Sequence, residues 1–296
     1  MKFEFFILSL EIKTEAMCLQ KEEFNMITSL QNTKVRQVMA LQKKKERDKT
    51  RLFIVEGKKM IEEIPMDWEV REYFIQSSFY EKEENQDWLN KHVFSCQSLI
   101  SSSTSIIADS IFLKMSDTET PQGILAMIEQ REYDFSSLNI LETDFWLLIE
   151  EMQDPGNLGT LIRTADAAGA TGVILSKGTV DLYSPKVLRS TMGSIFHLPI
   201  LTGVNLSEGI KELQNHGIQI LAAHLQGALS PYEINLNRGI GILIGNEGRG
   251  LTEEVAKMAD VAVKLPMLGK AESLNAAVAG SILLYEVVRQ RERSKQ

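Results

Sequence analysis

The chain has 296 residues, enough for one large domain or two of ordinary size, and its 44% hydrophobic and 24% charged residues are typical of a globular protein. No apolar run approaches the roughly 18 residues of a membrane span, and the apolar start is interrupted by Glu4 and Glu11, which argues against a secretory signal. The net charge of −8 argues against unspecific nucleic-acid binding.

The first half of the chain predicts a small α/β domain at residues 26–130. Residues 1–25 have no partner in this pattern, so we interpret them as an N-terminal extension and expect poor order there. Ser29 is a candidate N-cap for the first helix of the domain. The predicted strands are 52–57, 73–75, 92–94 and 124–128, with helical segments near 80–90 and 97–115.

Basic residues are concentrated between positions 34 and 59. Ten lysines and arginines lie there against three carboxylates, although the whole chain is acidic. Such a segment is a candidate surface for RNA phosphates, and a solvated helix rich in lysine is the alternative. The candidate RNA-binding residues are Lys34, Arg36, Lys43, Lys44, Arg47 and Arg51.

A predicted linker at residues 131–144 precedes a second α/β series at 145–296. Its predicted strands are 145–149, 173–175, 198–201, 218–222, 240–244 and 261–265. Residues 273–293 are predicted to form the last helix, with one apolar face. Small residues on that helix, Ala277 and Gly280 among them, allow close approach of another helix, either from the same chain or from a second subunit.

Three blocks containing glycine stand out in this second half. In the first, Asn157 follows a turn and is a candidate helix N-cap. Arg163 lies off the apolar face of that helix, so its guanidinium points either into solvent or into a site. Gly159 in the first turn costs helix stability, which favours close approach by another group.

The second block follows the predicted strand 240–244 and contains Gly245, Glu247, Gly248 and Gly250. Glycine amides at this position can contact a polar or anionic ligand, and a plain tight turn with an exposed Glu247 is the alternative. The order of the glycines differs from the dinucleotide fingerprint G-x-G-x-x-G, which argues against a dinucleotide-binding enzyme.

The third block joins the apolar stretch 265–267 to a glycine loop and a helix start. Ser273 and Asn275 are both candidate caps of that helix, which is a structural explanation for them. Met267 is of a type found more often in a core than in contact with a cofactor.

Together and in this order, the three blocks resemble the motifs of the SpoU (TrmH-like) RNA ribose 2′-O-methyltransferases of the SPOUT superfamily. The likeness covers about residues 145–293. A weaker likeness, at residues 53–57 and 120–123, relates the first domain to a substrate-binding domain similar to ribosomal protein L30e. The resemblance implies an α/β fold with a C-terminal SPOUT domain, knotted as a deep trefoil, and a smaller N-terminal L30e-like domain.

The resemblance also implies an activity and its residues. Members transfer a methyl group from S-adenosyl-L-methionine to a ribose 2′-hydroxyl of RNA, and they work as homodimers in which both subunits contribute to each site. The catalytic residues implied are Arg163, Asn157, Glu247, Ser273 and Asn275, with Arg163 in the principal role. The cofactor-binding residues implied are Leu243, Gly245, Leu265, Met267, Gly269 and Leu274.

The expected substrate is 23S ribosomal RNA, with transfer RNA as the second choice. A non-catalytic RNA-binding protein on the same scaffold is the alternative function; it would not bind S-adenosylmethionine. Cys18 and Cys96 suggest neither a disulfide framework nor metal-ligand spacing. We therefore expect a protein of the reducing cytoplasm with no metal and no membrane partner.

Overall fold

A computed structural model describes residues 26–95, 103–225, 227 and 229–294. The predicted extension at residues 1–25 lies outside the described residues, as do Cys18 and Cys96. Two sheets, one of four strands and one of six, organise the described chain.

The N-terminal domain is built on the four-stranded sheet. Its strands are β1 (Leu52–Glu56), β2 (Val70–Gln76), β3 (Ser103–Ile107) and β4 (Ile124–Glu129), in the order β1-β4-β2-β3. β4 is antiparallel to β1 and β2, whereas β3 is parallel to β2. The helices are α1 (Thr33–Ala40), α2 (Lys44–Thr50), α3 (Lys58–Glu62), α4 (Ser77–Tyr80), α5 (Glu83–Leu89) and α6 (Asp109–Met115). Helices α1 and α6 cover one face of the sheet, where Phe74 and Phe112 are fully buried.

Two predictions for secondary structure in this domain are wrong. Residues 92–94, predicted as a strand, lie in a π-helical turn, Asn90–Phe94, which continues α5. Val93 stands four residues after Leu89, so both bury on one helical face. The segment 97–115, predicted as a helix, contains β3, and only α6 at its end is helical. Pairing with β2 stabilises this serine-containing strand, and no local pattern revealed it.

The predicted cap of α1 is also wrong. Asn32, not Ser29, is the N-cap, and its side chain accepts the Lys34 N–H at 2.9 Å. Ser29 instead accepts the Gln31 N–H in the preceding turn. Both residue types favour caps, so tertiary packing decides where the helix starts.

The C-terminal domain is built on six parallel strands. They are β5 (Phe145–Ile149), β6 (Gly172–Ser176), β7 (Ile200–Val204), β8 (Gln219–Ala223), β9 (Ile240–Ile244) and β10 (Val261–Val263), in the order β10-β8-β9-β5-β6-β7. The helices are α7 (Pro155–Ala167), α8 (Pro185–Thr191), α9 (Leu206–Asn215), α10 (Glu253–Ala256) and α11 (Ala276–Arg293). Short 3₁₀ turns occur at Phe135–Ser137, Ser194–Phe196 and Pro231–Glu233. Strands β5 and β9 are buried along their whole length, as expected of central parallel strands.

The last helix returns to the middle of this sheet. β10 forms an edge of the sheet beside β8, yet α11 packs against β9 and α7. Residues 264–275 therefore run from the edge back past the loop at 245–251, which is the path that the predicted knot requires. A Cβ at Gly280 would lie 2.5 Å from Leu161 Cδ2, so the small residues of α11 permit a close helix contact within the chain.

The two domains pack directly on each other. The ring of Phe53 in β1 lies 4.7 Å from that of Tyr183, and Trp68 meets Phe196 edge to face at 4.9 Å. The Tyr183 hydroxyl donates to the Arg131 carbonyl at 3.1 Å, and Ile140 is buried. The connecting residues 131–144 are therefore part of the packed structure.

Candidate active site

The carboxyl ends of β8 and β9 open onto a cleft. Such ends lie together at one edge of a parallel sheet, where ligands bind in α/β proteins. The cleft has a volume of about 370 Å³, within the range of small-molecule sites. We call it the apolar cleft, and its walls include Ile244, Leu251, Val263, Leu265, Met267 and Leu283.

Four of the six predicted cofactor-binding residues line the apolar cleft: Gly245, Leu265, Met267 and Leu274. The other two do not. Leu243 is fully buried in β9 and packs in the core on the opposite face from its neighbour Ile244, because side chains alternate along a strand. Gly269 lies in the loop beyond Met267, next to Leu268, whose side chain is 99% exposed.

A second, polar hollow adjoins the apolar cleft. Both share Asn246, Glu247 and Gly248, and the polar hollow adds Asn157 and Asn275. Four of the five predicted catalytic residues therefore line one or both spaces, with Ser273 in the apolar cleft.

A chain of hydrogen bonds joins the three sequence blocks in the polar hollow. The Asn157 side-chain amide donates to Glu247 Oε1 at 3.3 Å. Its carbonyl oxygen accepts the Asn275 side-chain amide at 3.0 Å. The side-chain oxygen of Asn275, Oδ1, in turn accepts the backbone N–H groups of Ala277 and Val278, which makes Asn275 the N-cap of α11. Residues 90 and 118 positions apart in sequence thus form one polar group.

The predicted capping role of Asn157 is wrong. Asp154 is the N-cap of α7, and its carboxylate accepts the Asn157 N–H at 2.8 Å. Pro155 follows at the first helical position, which its fixed φ favours. Because Asp154 caps the helix, the Asn157 side chain is available to bridge Glu247 and Asn275.

Glu247 is held as an acceptor. Its carboxylate accepts the backbone N–H of Asp154 at 2.8 Å and that of Gln153 at 3.1 Å. Partial burial works against the charged form, but these hydrogen bonds outweigh it, so the pKa of Glu247 lies below its ordinary value. The carboxylate is therefore ionised at neutral pH and fixes the turn before α7.

The loop that carries Glu247 is compact. A Cβ at Gly245 would lie 2.3 Å from the Gly250 carbonyl carbon, so only glycine fits there. Asn246, which sequence reasoning did not select, accepts the Gly248 N–H at 2.9 Å and donates to the Glu151 carbonyl at 2.8 Å. Its position between a buried strand and glycines was the available signal. His224, also missed, lines the cleft after β8, and the signal was the end of a neighbouring parallel strand.

Arg163 is separated from both spaces. It is exposed on α7 and is not among the residues that line the apolar cleft or the polar hollow. Six residues after Asn157, it lies roughly 9 Å further along the helix axis. Gly159 on the same helix contacts α8 closely, since a Cβ there would lie 2.3 Å from Ser190 Cβ.

The candidate RNA-binding residues fall into three groups. Arg47 is wrong as an RNA contact, because its side chain is 4% exposed and is held by Asp181 of the C-terminal domain. Lys34 pairs with Glu72, and Arg51 with Glu132, although both remain partly exposed. The exposed residues are Arg36, Lys43 and Lys44, the last in an ion pair with Asp48.

Membrane spans and metal sites would indicate other classes of protein, and the described residues bear on both. No helix there is long and apolar enough to cross a membrane. Nor do those residues include a group of three or more His, Cys, Asp or Glu side chains arranged to hold a metal ion.

The SpoU rRNA Methylase family matches residues 144–285, and the MRM3-like substrate binding domain matches residues 32–126. The 23S rRNA (guanosine(2553)-2′-O)-methyltransferase RlmP of Bacillus subtilis is 34% identical over 262 residues, which are 88% of this chain and 98% of that protein. The chain belongs to the SpoU rRNA methylase family. This confirms the sequence prediction of an RNA 2′-O-ribose methyltransferase that uses S-adenosylmethionine.

Solved structures agree with this membership. The AdoMet-bound rRNA methyltransferase of Sinorhizobium meliloti is 32% identical with a TM-score of 0.80, covering 90% of this chain and 97% of that one. The SpoU methyltransferase AviRb of Streptomyces viridochromogenes in complex with AdoMet is 28% identical with a TM-score of 0.79, covering 88% of this chain and 99% of that one. The predicted fold class, a SPOUT domain with a smaller N-terminal substrate-binding domain, is confirmed.

Proposed function

We propose that this chain methylates a ribose 2′-hydroxyl in 23S ribosomal RNA in the cytoplasm, as a homodimer in which Arg163 completes the site of the partner subunit. The hydrogen-bonded chain Glu247–Asn157–Asn275 beside the apolar cleft is the observation that carries this proposal. The name of the B. subtilis relative supports the choice of RNA.

The apolar cleft fits S-adenosylmethionine. Leu265, Met267 and Leu283 offer apolar walls for a purine, and the backbone at Gly245 and the end of β8 offers polar groups. When bound, this ligand supplies an activated methyl group on a sulfonium. The protein has to align the ribose oxygen, exclude water and help remove one proton.

The polar hollow is suited to hold the target ribose. Asn157 and Asn275 present amide groups of fixed orientation, and Glu247 presents an ionised carboxylate. Ser273 at the boundary adds a hydroxyl. A guanidinium offers N–H donors and no acceptor, so we assign Arg163 to the RNA phosphate and the developing alkoxide and not to general base catalysis.

The surface around Arg163 supports a dimer. On the neighbouring helix α11, Val278 and Tyr285 are 48% and 51% exposed, seven residues apart on one face, and Leu274 before the helix is 38% exposed. Thr164 next to Arg163 lies 3.1 Å from Ser281 of α11, hydroxyl to hydroxyl, so the two exposed faces adjoin. Exposed apolar side chains in one stripe mark an interaction surface, and a two-fold axis through this stripe would place the neighbouring Arg163 against the partner subunit.

Mapping of 2′-O-methyl groups tests the reaction. RNA from cells with and without the protein should differ in the 2′-O-methyl group of one 23S rRNA nucleotide. Purified protein supplied with S-adenosylmethionine should restore that methyl group. A difference confined to transfer RNA would overturn the choice of RNA. If cells without the protein lack no methyl group and the purified protein does not bind S-adenosylmethionine, the function that remains is that of a non-catalytic RNA-binding protein.

Mixed dimers test the role of Arg163. Arg163→Ala should abolish methyl transfer while S-adenosylmethionine still binds with unchanged Kd. Mixing Arg163→Ala with Asn275→Ala subunits should restore about a quarter of wild-type activity, because half of the dimers then hold one intact site of two. If both residues act within one subunit, no activity returns.

A further inference from the structure

A buried carboxylate lies directly behind the loop that lines the apolar cleft. Glu150 follows β5 and is 5% exposed. Its carboxylate accepts the Thr252 N–H at 2.8 Å and the Thr252 hydroxyl at 2.7 Å. Its own N–H donates to the Ile244 carbonyl at 2.9 Å. Neither Glu150 nor Thr252 is among the residues that line the cleft, so any effect of Glu150 on a ligand passes through the loop.

The next residue ties down the same loop at two further points. The Glu151 carbonyl accepts the Asn246 side-chain amide at 2.8 Å, and its carboxylate pairs with Arg249. Glu151 has φ +46°, a left-handed conformation that is uncommon for a residue other than glycine. Such a conformation persists only where its surroundings hold it.

These contacts restrain the loop along its whole length. Asn246 lies at its start, Arg249 in its middle, and Thr252 directly after its end. Every residue from Gly245 to Leu251 lines the apolar cleft, so the loop forms one complete wall. A shift at Thr252 would move that wall, because the bridge between Asn246 and Gly250 links its two ends.

We propose that Glu150 is a positioning residue: through its two hydrogen bonds to Thr252 it sets the position of the 245–251 loop, and thereby the affinity of the apolar cleft for S-adenosylmethionine. This inference rests on the proposed function, in which S-adenosylmethionine is the ligand of that cleft. A buried carboxylate with one threonine as its partner is costly to keep unless the geometry it fixes is needed.

Binding of S-adenosylmethionine to the full chain, measured by calorimetry, tests the proposal. Glu150→Ala should raise the Kd about tenfold, at the lower end of what losing an outer partner costs at metal sites. Glu150→Gln keeps an acceptor for the Thr252 N–H and a donor for its hydroxyl, so it should restore most of the affinity. Thr252→Val should weaken binding and Thr252→Ser should not, which keeps the test available if Glu150→Ala fails to fold.

Glu72→Ala is the matched control. Glu72 is also 5% exposed and accepts a hydroxyl, that of Ser105 at 2.6 Å, but it lies in the N-terminal domain. It should lower the unfolding temperature without changing the Kd. A role of Glu150 in stability alone would give the same pattern as this control.

Hydrogen exchange of the backbone amides at 245–252 gives a readout without any ligand. Glu150→Ala and Thr252→Val should both speed exchange there and leave β2 of the N-terminal domain, residues 70–76, unchanged. Unchanged exchange, or an unchanged Kd in both folded variants, would overturn the role of Glu150. A different outcome separates this proposal from the proposed function. If the wild-type chain binds no S-adenosylmethionine but the variants still speed exchange, the proposed function is overturned. Of the present proposal, only the effect on affinity is then lost, and the role of Glu150 in positioning the loop remains.

Discussion

Replacing Arg47 should lower the stability of the folded protein, because its side chain is a structural contact and not a direct contact to RNA. Its guanidinium donates to Asp181 Oδ2 through Nε at 3.0 Å and again through Nη2, and to the carbonyls of Leu41 and Gln42 at 2.7 and 2.8 Å. The side chains of Arg47 and Asp181 are 4% and 13% exposed. Arg47→Met leaves a nearly buried carboxylate without its cation, which costs about 3–5 kcal/mol. At 2–4 °C per kcal/mol, the unfolding temperature should fall by roughly 6–20 °C.

Thermal unfolding followed by tryptophan fluorescence measures this effect, since Trp68 packs at the contact between the domains. Arg47→Met combined with Asp181→Leu should recover part of the loss, because no uncompensated charge then remains. The control is Lys43→Ala, on the exposed surface, which should leave the unfolding temperature unchanged. It should also reduce the slope of the logarithm of the RNA-binding constant against the logarithm of the salt concentration by about one. An unchanged unfolding temperature in Arg47→Met, with RNA affinity weakened as in Lys43→Ala, would refute the structural role.

Three further results are expected. Gly159→Ala should lower the free energy of unfolding, measured with denaturant, by about 1–3 kcal/mol, since its Cβ would lie 2.3 Å from Ser190 Cβ. Adding Ser190→Gly should recover part of this loss, and no recovery would contradict the contact. Burial works against protonation of His197, but its contacts with the carboxylates of Asp166 and Glu63 together outweigh this and raise its pKa. Its stabilisation is therefore lost as pH rises through the raised pKa, and the gap in unfolding temperature to His197→Gln should be larger at about pH 5.5 than at about pH 8.5. Glu247 has a lowered pKa in spite of its partial burial, because backbone N–H groups bind the charged form. The difference in unfolding temperature between the wild type and Glu247→Gln should therefore be largest at neutral pH and shrink as pH falls through that lowered pKa. For either residue, a difference that is equal at all pH values would contradict the assignment.

The central strands were predictable because burial on both faces leaves a strong local pattern. Strands β5 and β9 begin and end as predicted, since each is a continuous apolar run bounded by polar residues or glycine. The strand β3 was not predictable in this way. Only Ile106 and Ile107 supply apolar residues among its serines and threonine, and its order depends on pairing with β2, 31 residues earlier in the chain.

Burial of charged residues was the part of the candidate site least accessible to sequence reasoning. Arg47 and Lys43 lie four positions apart in one basic segment, and local composition gives both the same interpretation. Which of them turns inwards depends on Asp181, 134 residues away in the other domain. Charge density along the chain therefore predicted a basic surface but not its members.

The asparagines of the polar hollow illustrate why residue type and position matter together. Helix α11 donates two N–H groups to the Asn275 carbonyl oxygen, so the amide nitrogen of Asn275 must face Asn157. Asn157 must then accept with its oxygen, which leaves its nitrogen to donate to Glu247. An aspartate in either position would remove the donor on which the next bond depends and place a second negative charge near Glu247. Helix capping alone would tolerate aspartate as well as asparagine at position 275, so the need for an amide there comes from the site and not from the helix.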